Sequence, residues 1–143
     1  MTTGATAAIA IVTALAVASA VGWTINRRSG ALRASTPTSD AESTPDTSGL
    51  GLSVTGPTVL HFSAPWCGPC TAVRRVVDQV CAEMPAVTHV EIDMDADPAA
   101  ARRLSVLSLP TTFIFDADGR QRFRSSGVPS AADLRRALDE LAG

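Results

Sequence analysis

The stretch WCGPC (residues 66–70) places two of the chain's three cysteines three positions apart, behind a tryptophan and across a Gly-Pro pair. It follows TVLHFSA (58–64), an apolar run rich in β-branched and aromatic residues that is typical of a buried strand. After it, valines recur at helical spacing until Met84 and Pro85 interrupt the pattern. These patterns predict a strand, a tight junction and a helix, with the cysteines at the N-terminal end of the helix.

The spacing of the two cysteines predicts a redox-active pair. Two intervening residues allow the sulfurs of Cys67 and Cys70 to meet when Cys70 enters the helix, so a disulfide can form and open. The unpaired N–H groups and the positive dipole end of the helix favour the thiolate of Cys67, which is the nucleophilic form. Cys70 is better shielded and is placed to attack a mixed disulfide on Cys67. We expect Gly68 to let the backbone bend and Pro69 to supply a φ that suits a first helical turn.

Further patterns predict the rest of the domain. They are a strand at VTHVEIDM (87–94), a helix from Asp97-Pro98 to about Val106, a hairpin of TTFIF (111–115) and RQRFRSS (120–126), and a last helix that opens with the capping-box pattern Ser130-x-x-Asp133. The order is then β-α-β-α-β-β-α. Alternating strands and helices indicate an α/β fold, here a mixed four-stranded sheet flanked by helices.

Three segments resemble the thioredoxin family: WCGPC after its apolar strand, EIDMDADP (91–98), and SLPTTFIF (108–115). The resemblance extends from about Val59 to the C-terminus, and it implies a minimal thioredoxin fold without the first strand and helix of a full thioredoxin. It also implies a monomeric thiol–disulfide oxidoreductase that reduces protein disulfides, needs no cofactor of its own, and is re-reduced by a thioredoxin-reductase-type flavoprotein or a membrane electron donor.

The same resemblance implies a peptide groove around the disulfide. Pro110 would be cis and lie beside the cysteines, and Leu109 would offer its backbone to the incoming peptide. Gly127 matches the glycine that completes the family's groove. Trp66 could be a core residue, but its place beside the exposed sulfur of Cys67 favours contact with substrate. We therefore expect the following residues to contact substrate: Trp66, Gly68, Pro69, Leu109, Pro110 and Gly127.

One departure from the family lies on the strand before the motif. Thioredoxins carry a buried Asp there that is thought to take a proton from the resolving cysteine, and the matching residue here is His61. The family's Lys partner on the neighbouring strand corresponds to Glu91. A His-Glu pair could relay a proton, so we predict that His61 is the base serving Cys70. The alternative is that His61 only fills a half-buried strand position.

The N-terminal part of the chain predicts a membrane anchor. Residues 5–25 are uncharged and as a helix would just span a hydrocarbon core. Residues 26–56 are rich in Ser, Thr, Pro and Gly and predict a flexible linker to a domain at 57–143. Arginines follow the apolar segment, so the positive-inside rule predicts a single-pass cell-membrane protein with its domain in the cytoplasm. The arrangement resembles the membrane-anchored thioredoxin-like proteins of actinobacteria.

The sequence leaves two other functions open and argues against several kinds of site. A cleaved signal ending near Ala18-Ser19-Ala20 would place the domain outside the membrane, exchanging disulfides of secreted or cytochrome-maturation clients. A non-catalytic binding module of the same fold is a further alternative. The net charge of −2, with no basic face, argues against nucleic-acid binding. The chain has a single CxxC motif, which argues against a zinc site. Pro98 and Leu104 interrupt the residue pattern of a calcium-binding loop. We interpret Cys81 as a small buried apolar residue.

Overall fold

The computed structural model describes residues 3–28, 30–35 and 46–142, with side chains described for 9–24 in the first of these ranges. The elements follow one another along the chain as α1 (Thr3–Arg28), β1 (Arg33–Ala34), β2 (Thr58–Ser63), α2 (Cys70–Glu83), β3 (Thr88–Asp93), α3 (Pro98–Arg103), β4 (Thr111–Phe115), β5 (Gln121–Ser126) and α4 (Ala131–Ala142). The predicted order β-α-β-α-β-β-α is therefore confirmed for the chain from β2 onwards.

The N-terminal segment forms a helix, α1, but the prediction that it crosses a membrane is wrong. Within the described part of the chain, no helix combines the length and the apolar character that crossing a membrane requires. Alanines, threonines and serines separate the valines and isoleucines of this segment, and these residues contribute little to the free energy of insertion. The prediction of a single-pass membrane protein with its domain in the cytoplasm depended on this span and is therefore also wrong.

The sheet has five strands instead of the predicted four, in the order β1-β5-β4-β2-β3. β2 runs parallel to β3 and antiparallel to β4, and β4 pairs antiparallel with β5, so the sheet is mixed as predicted. The additional strand is β1, which pairs antiparallel with the outer edge of β5 through Arg33 opposite Arg124 and Ala34 opposite Phe123. Two residues carry no alternating pattern, so the sequence around β1 contained no strand signal.

β2 lies at the centre of the domain, and all six of its residues are buried. Its side chains alternate between two apolar layers. Leu60 and Phe62 pack with Phe113, Phe115 and the buried residues of α3 on one face. Val59 packs on the other face with the buried residues of α2 and α4. Because His61 has the same parity as Val59, it points into the layer beneath α2.

The helices begin and end close to where their local signals predict. The valines of α2 at 73, 77 and 80 are buried, which confirms the predicted apolar face. The Asp97 side chain accepts a hydrogen bond from the Ala100 N–H at 2.9 Å and caps α3, although that helix ends at Arg103, three residues before the predicted Val106. The Ser130 Oγ accepts from the Asp133 N–H at 3.1 Å, so the predicted cap of α4 is confirmed.

The described parts of the predicted flexible linker pack against the domain. Besides β1, the segment 46–57 contributes Leu50, which is 3 % exposed and belongs to the apolar layer of Leu60 and Phe62. The Ser53 N–H donates to the Thr58 Oγ1 at 2.9 Å. Residues 36–45, the middle of the predicted linker, lie outside the described residues. Leu52 is partly buried against the same layer, and the Ser, Thr and Gly residues around these leucines explain why composition alone predicted a tether.

Gly56 lies close to the backbone of Ala86, and we expect Gly56→Ala to lower the free energy of unfolding by about 2 kcal/mol. A Cβ at this position would lie 2.3 Å from the carbonyl oxygen of Ala86. The Thr88 N–H donates to the carbonyl of Pro57 at 2.9 Å, so the two backbones cannot separate without losing that bond. Urea unfolding of the oxidised protein measures the change.

Gly68→Ala is the matched control, because a Cβ at Gly68 would meet no atom within 4 Å. Its free energy of unfolding should stay within about 0.5 kcal/mol of the wild-type value. An equal loss in both variants would show that the contact with Ala86 is not the cause.

Candidate active site

Tight turns join β2 to α2 and position both cysteines. The Cys67 N–H donates to the carbonyl of Ala64 at 3.0 Å, and the Cys70 N–H donates to the carbonyl of Cys67 at 3.2 Å. Pro69 is the N-cap residue with φ −63°, and α2 begins at Cys70. Pro69 therefore has the φ that was predicted for it, and Cys67 lies just ahead of the first helical turn.

Cys67 and Cys70 form a disulfide, with Cα atoms 5.5 Å apart. This confirms the prediction that the two sulfurs can join. Both residues are buried, but unequally: Cys67 is 8 % exposed and Cys70 is 2 % exposed. The Cys70 Sγ lies 3.8 Å from the carbonyl oxygen of Phe62, on the strand beneath the helix. An incoming reagent can therefore reach Cys67 more easily than Cys70.

Gly68 does not serve the turn in the way that we expected. Its φ is not among the positive values in this chain, so an L-residue could adopt its conformation. Since a Cβ there would meet no atom within 4 Å, the turn does not need glycine for space either. What Gly68 provides is an uncovered surface next to Cys67.

The loop before β4 lies against the cysteines. The Leu109–Pro110 peptide bond is cis, as the resemblance implied. The side chain of Leu109 packs against the buried cluster of Ala64, Cys67 and Cys70. The Gly127 N–H donates to the carbonyl of Pro110 at 2.9 Å, and Gly127 has a φ of +98°, which favours glycine. Three of the predicted substrate-contacting residues, Leu109, Pro110 and Gly127, are thus linked by packing or hydrogen bonding into one region at the disulfide.

Trp66 stands on the exposed side of this region, with 66 % of its surface exposed. Its indole N–H donates to the Asp95 Oδ2 at 3.0 Å. Asp95 follows β3 and belongs to the segment EIDMDADP (91–98) that resembles the thioredoxin family. The contact joins residues 29 positions apart, so nothing in the local sequence could have revealed it. Asp95 holds the ring in one orientation beside the disulfide.

His61 is fully buried on the α2 face of the sheet. Its Nδ1 lies 3.0 Å from the Nε2 of His89, and the two rings stack with their centroids 5.1 Å apart. Its Nε2 lies 3.6 Å from the Glu91 Oε1, which is too long for a hydrogen bond, and has no such partner among the described residues. Burial lowers the pKa of His61 to about 4, so the ring is neutral near pH 7.

Glu91 is the predicted neighbour of His61 and lies directly opposite it in the parallel pairing of β2 and β3. Its carboxylate accepts two hydrogen bonds from the guanidinium of Arg74 on α2, with the Nε at 2.7 Å from the Oε2. The hydrogen bonds from Arg74 lower the pKa of Glu91 to about 2. Glu91 therefore stays ionised near neutral pH, so it is an electrostatic neighbour of His61 and does not carry its proton.

The residues that complete the surroundings of His61 were missed from the sequence. They are His89 on β3, together with Arg74 and Asp78, which lie one turn apart on α2. The Nδ1 of His89 lies 3.0 Å from the Asp78 Oδ1. The signal that could have identified His89 is its position two residues before Glu91, which puts both side chains on the same face of β3. Using that signal requires the register between β2 and β3.

Cys81 lies away from the disulfide, on α2, and packs partly buried against the layer of Val59. Burial raises the pKa of its thiol, which disfavours the reactive thiolate. Among the residues that the structure describes, no three His, Cys, Asp or Glu side chains are grouped so that they could hold a metal ion.

Comparison with known proteins agrees with this geometry. The thioredoxin family model matches residues 52–140. The chain is 38% identical to a thioredoxin of Chlamydia trachomatis over 79 residues, which are 55% of this chain and 76% of that protein. It is 38% identical to a thioredoxin of Mycolicibacterium smegmatis over 87 residues, 59% of this chain and 77% of that protein. The crystal structure of chloroplastic thioredoxin z superposes with a TM-score of 0.57 at 34% identity, covering 62% of this chain and 81% of that one.

Proposed function

This chain belongs to the thioredoxin family and is a protein-disulfide oxidoreductase, and on that premise we propose that it reduces protein disulfides with Cys67 as the attacking residue and Cys70 as the resolving residue. The proposal rests on the disulfide at the start of α2, in which Cys67 is the more exposed partner. The unequal exposure supports the order of attack, because a substrate can reach Cys67 before Cys70.

The proposed reaction has two exchange steps. The thiolate of Cys67 attacks one sulfur of a substrate disulfide, which forms a mixed disulfide and releases the first substrate sulfur as a thiolate that takes a proton from solvent. Cys70 loses its proton and attacks the Cys67 sulfur, which forms the Cys67–Cys70 disulfide and releases the second substrate thiolate. The substrate gains two electrons, and the cysteine pair loses them.

Two features of the turn support thiolate formation at Cys67. It lies just before α2, where the helix dipole and unpaired backbone N–H groups favour negative charge. Return of the pair to the dithiol requires an external two-electron donor, and we propose a thioredoxin-reductase-type flavoprotein.

His61 is proposed as the base for Cys70. It lies on the sheet face that carries α2, one residue before Phe62, whose carbonyl is 3.8 Å from the Cys70 Sγ. Because its ring is neutral near pH 7, it can accept a proton. The role replaces that of the buried carboxylate to which the position corresponds in the family.

The substrate peptide is proposed to lie across the exposed side of the disulfide. Trp66 provides an apolar ring held by Asp95, and Gly68 leaves the surface above Cys67 uncovered. The remaining proposed contacts come from the groove predicted in the sequence: Pro69, Leu109, Pro110 and Gly127. Backbone groups of the loop before Pro110 would supply sequence-independent hydrogen bonds, which suits a reductase with several protein clients.

Reduction of insulin by dithiothreitol tests the function. The wild-type protein should accelerate precipitation of the insulin B chain in a concentration-dependent manner, and Cys67→Ser should remove the acceleration. Cys81→Ser is the matched control and should retain it, since Cys81 lies outside the disulfide. If wild type and Cys67→Ser give the same rate, the chain does not reduce disulfides, and a binding role for the fold would take precedence.

A further inference from the structure

We propose that Asp78 and His89 act as positioning residues that hold His61 in the tautomer with an unprotonated Nε2 and carry the proton of Cys70 from His61 to the protein surface. The inference rests on the proposed role of His61 and adds the route by which the proton leaves. Neither Asp78 nor His89 touches the disulfide or a substrate in this arrangement, so both act through His61.

The three side chains form a continuous chain from the core to the surface. The His61 Nδ1 lies 3.0 Å from the His89 Nε2, and the His89 Nδ1 lies 3.0 Å from the Asp78 Oδ1. Side-chain exposure increases along the chain, from 0% for His61 to 18% for His89 and 61% for Asp78. A proton that enters at His61 can therefore reach water by two transfers across hydrogen-bond distances.

The ionised carboxylate of Asp78 sets the direction of both hydrogen bonds. A carboxylate can only accept, so the His89 Nδ1 must carry the hydrogen that it donates to Asp78. In neutral His89 the Nε2 is then an acceptor, and the His61 Nδ1 must donate to it. Neutral His61 is left with a lone pair on Nε2, the atom that has no hydrogen-bond partner among the described residues.

The charges around His61 come from two elements. α2 contributes Arg74 and Asp78, and β3 contributes His89 and Glu91. On β4, the residue paired with His61 is Thr112, which does not titrate. The two carboxylates favour a positive charge on His61, whereas Arg74, a protonated His89 and, above all, burial disfavour it. Because the buried imidazolium is unfavourable, His61 is an effective base only if its second proton leaves at once.

Three protons move in the proposed relay. The Cys70 S–H proton moves to the His61 Nε2, which leaves the Cys70 thiolate for attack on the mixed disulfide. The Nδ1 proton of His61 moves to the His89 Nε2, and the Nδ1 proton of His89 moves through Asp78 to water. One proton enters the pair of imidazoles and one leaves it, so neither ring keeps a charge, and the negative charge of the Cys70 thiolate passes to the released substrate sulfur when Cys70 attacks. His61 is then protonated on Nε2. In the oxidised protein it regains the first tautomer when Nε2 loses this proton to water and Nδ1 takes one from water through Asp78 and His89.

Long-range ¹H–¹⁵N NMR spectra of ¹⁵N-labelled oxidised protein read this tautomer directly at pH 7. In the wild type, the His61 Nδ1 should have the chemical shift of a protonated ring nitrogen and the Nε2 that of an unprotonated one. Asp78→Asn should weaken this preference, since an amide can donate as well as accept. His89→Phe should shift His61 to the opposite tautomer, and His89→Gln, whose carbonyl can accept from Nδ1, should restore the wild-type pattern. A wild-type His61 that carries its proton on Nε2 would overturn the proposal.

Single-turnover reaction with 5,5′-dithiobis(2-nitrobenzoate) tests proton transport, in a Cys81→Ser background. Attack by reduced Cys67 releases one coloured thiolate, and attack by Cys70 releases the second. Asp78→Asn should slow the second phase at least about tenfold and leave the first unchanged. Asp139 is an exposed carboxylate on α4, and as a control Asp139→Asn should change the rate of neither phase. Equal second-phase rates in Asp78→Asn and wild type would refute transport through Asp78.

These experiments separate the two proposals. The NMR spectra require no turnover, so they assess the tautomer even if insulin is not reduced. If insulin is reduced while His61 carries its proton on Nε2, the disulfide chemistry stands and the relay does not. If His89→Phe does not fold, Asp78→Asn still provides both readouts, because its exposed side chain changes only in charge and donor capacity.

Discussion

The Cys70→Ser variant should remain covalently attached to its substrate, and its insulin turnover should fall at least about a thousandfold. Cys67 can still attack, because it is the more exposed cysteine and keeps its place before α2. The serine hydroxyl at position 70 cannot displace the substrate sulfur, since a hydroxyl is a far weaker nucleophile than a thiolate near neutral pH. Mass spectrometry of the non-reduced reaction should show the mass of the protein plus one insulin molecule, because a second interchain disulfide keeps the two insulin chains joined.

Two variants define the origin of this adduct. The double variant Cys67→Ser/Cys70→Ser should form none, whereas Cys70→Ser combined with Cys81→Ser should form as much as Cys70→Ser alone. Peptide mapping should place the mixed disulfide on Cys67. An adduct on Cys81, or normal turnover by Cys70→Ser, is incompatible with the assigned order of attack.

The oxidised protein should lose about 3 kcal/mol of stability from His61 alone as the pH falls from 6.5 to 4. The pKa of this ring is lowered from 6.5 to about 4 in the folded chain because burial disfavours its charged form. Below pH 6.5 the unfolded chain binds a proton that the folded chain does not, so unfolding is coupled to proton uptake. The contribution is fully present above pH 6.5 and is lost progressively as the pH falls towards 4.

Urea unfolding at several pH values measures this loss, and the disulfide must stay intact so that neither Cys67 nor Cys70 titrates. A His61→Leu variant should show little slope between pH 6.5 and 4.5. The pKa of Glu91 is also lowered, from 4.5 to about 2, but its contribution is lost only below pH 4.5 and does not overlap the upper part of the window. A wild-type slope that survives in His61→Leu would show that another group is responsible.

This chain departs from the family at position 61, and the change from Asp to His alters the electrostatics of the core. A buried carboxylate needs a cationic partner, whereas a buried neutral imidazole needs hydrogen-bond partners that settle its tautomer. Arg74 binds Glu91 on β3 and not a residue on β2. His61 therefore contacts His89, and His89 in turn contacts Asp78. His61 and Glu91 thus reverse the arrangement of charges that the family has on these two strands. As a result, two surface residues of α2, Arg74 and Asp78, belong to the surroundings of the cysteine pair.

Much of the fold could be predicted because its signals are local. The apolar run of β2, the valine spacing of α2 and the hairpin turn before β5 each predicted an element that the structure contains. The signal for the disulfide was equally local, since two intervening residues at the start of a helix place the two sulfurs within bonding distance. The membrane span was wrong, because the apolar residues of that segment are interspersed with alanine, threonine and serine.

What the chain's sequence determined by itself was therefore the order of the elements from β2 onwards and the disulfide, because both follow from the periodicity and spacing of nearby residues. Tertiary structure alone decided the fifth strand, the burial of Leu50, the contact of Trp66 with Asp95, and the path from His61 to Asp78. Each of these joins residues that are distant in the chain. Their proximity depends on strand register and on how α2 packs over the sheet, and neither leaves a pattern in a short stretch of sequence.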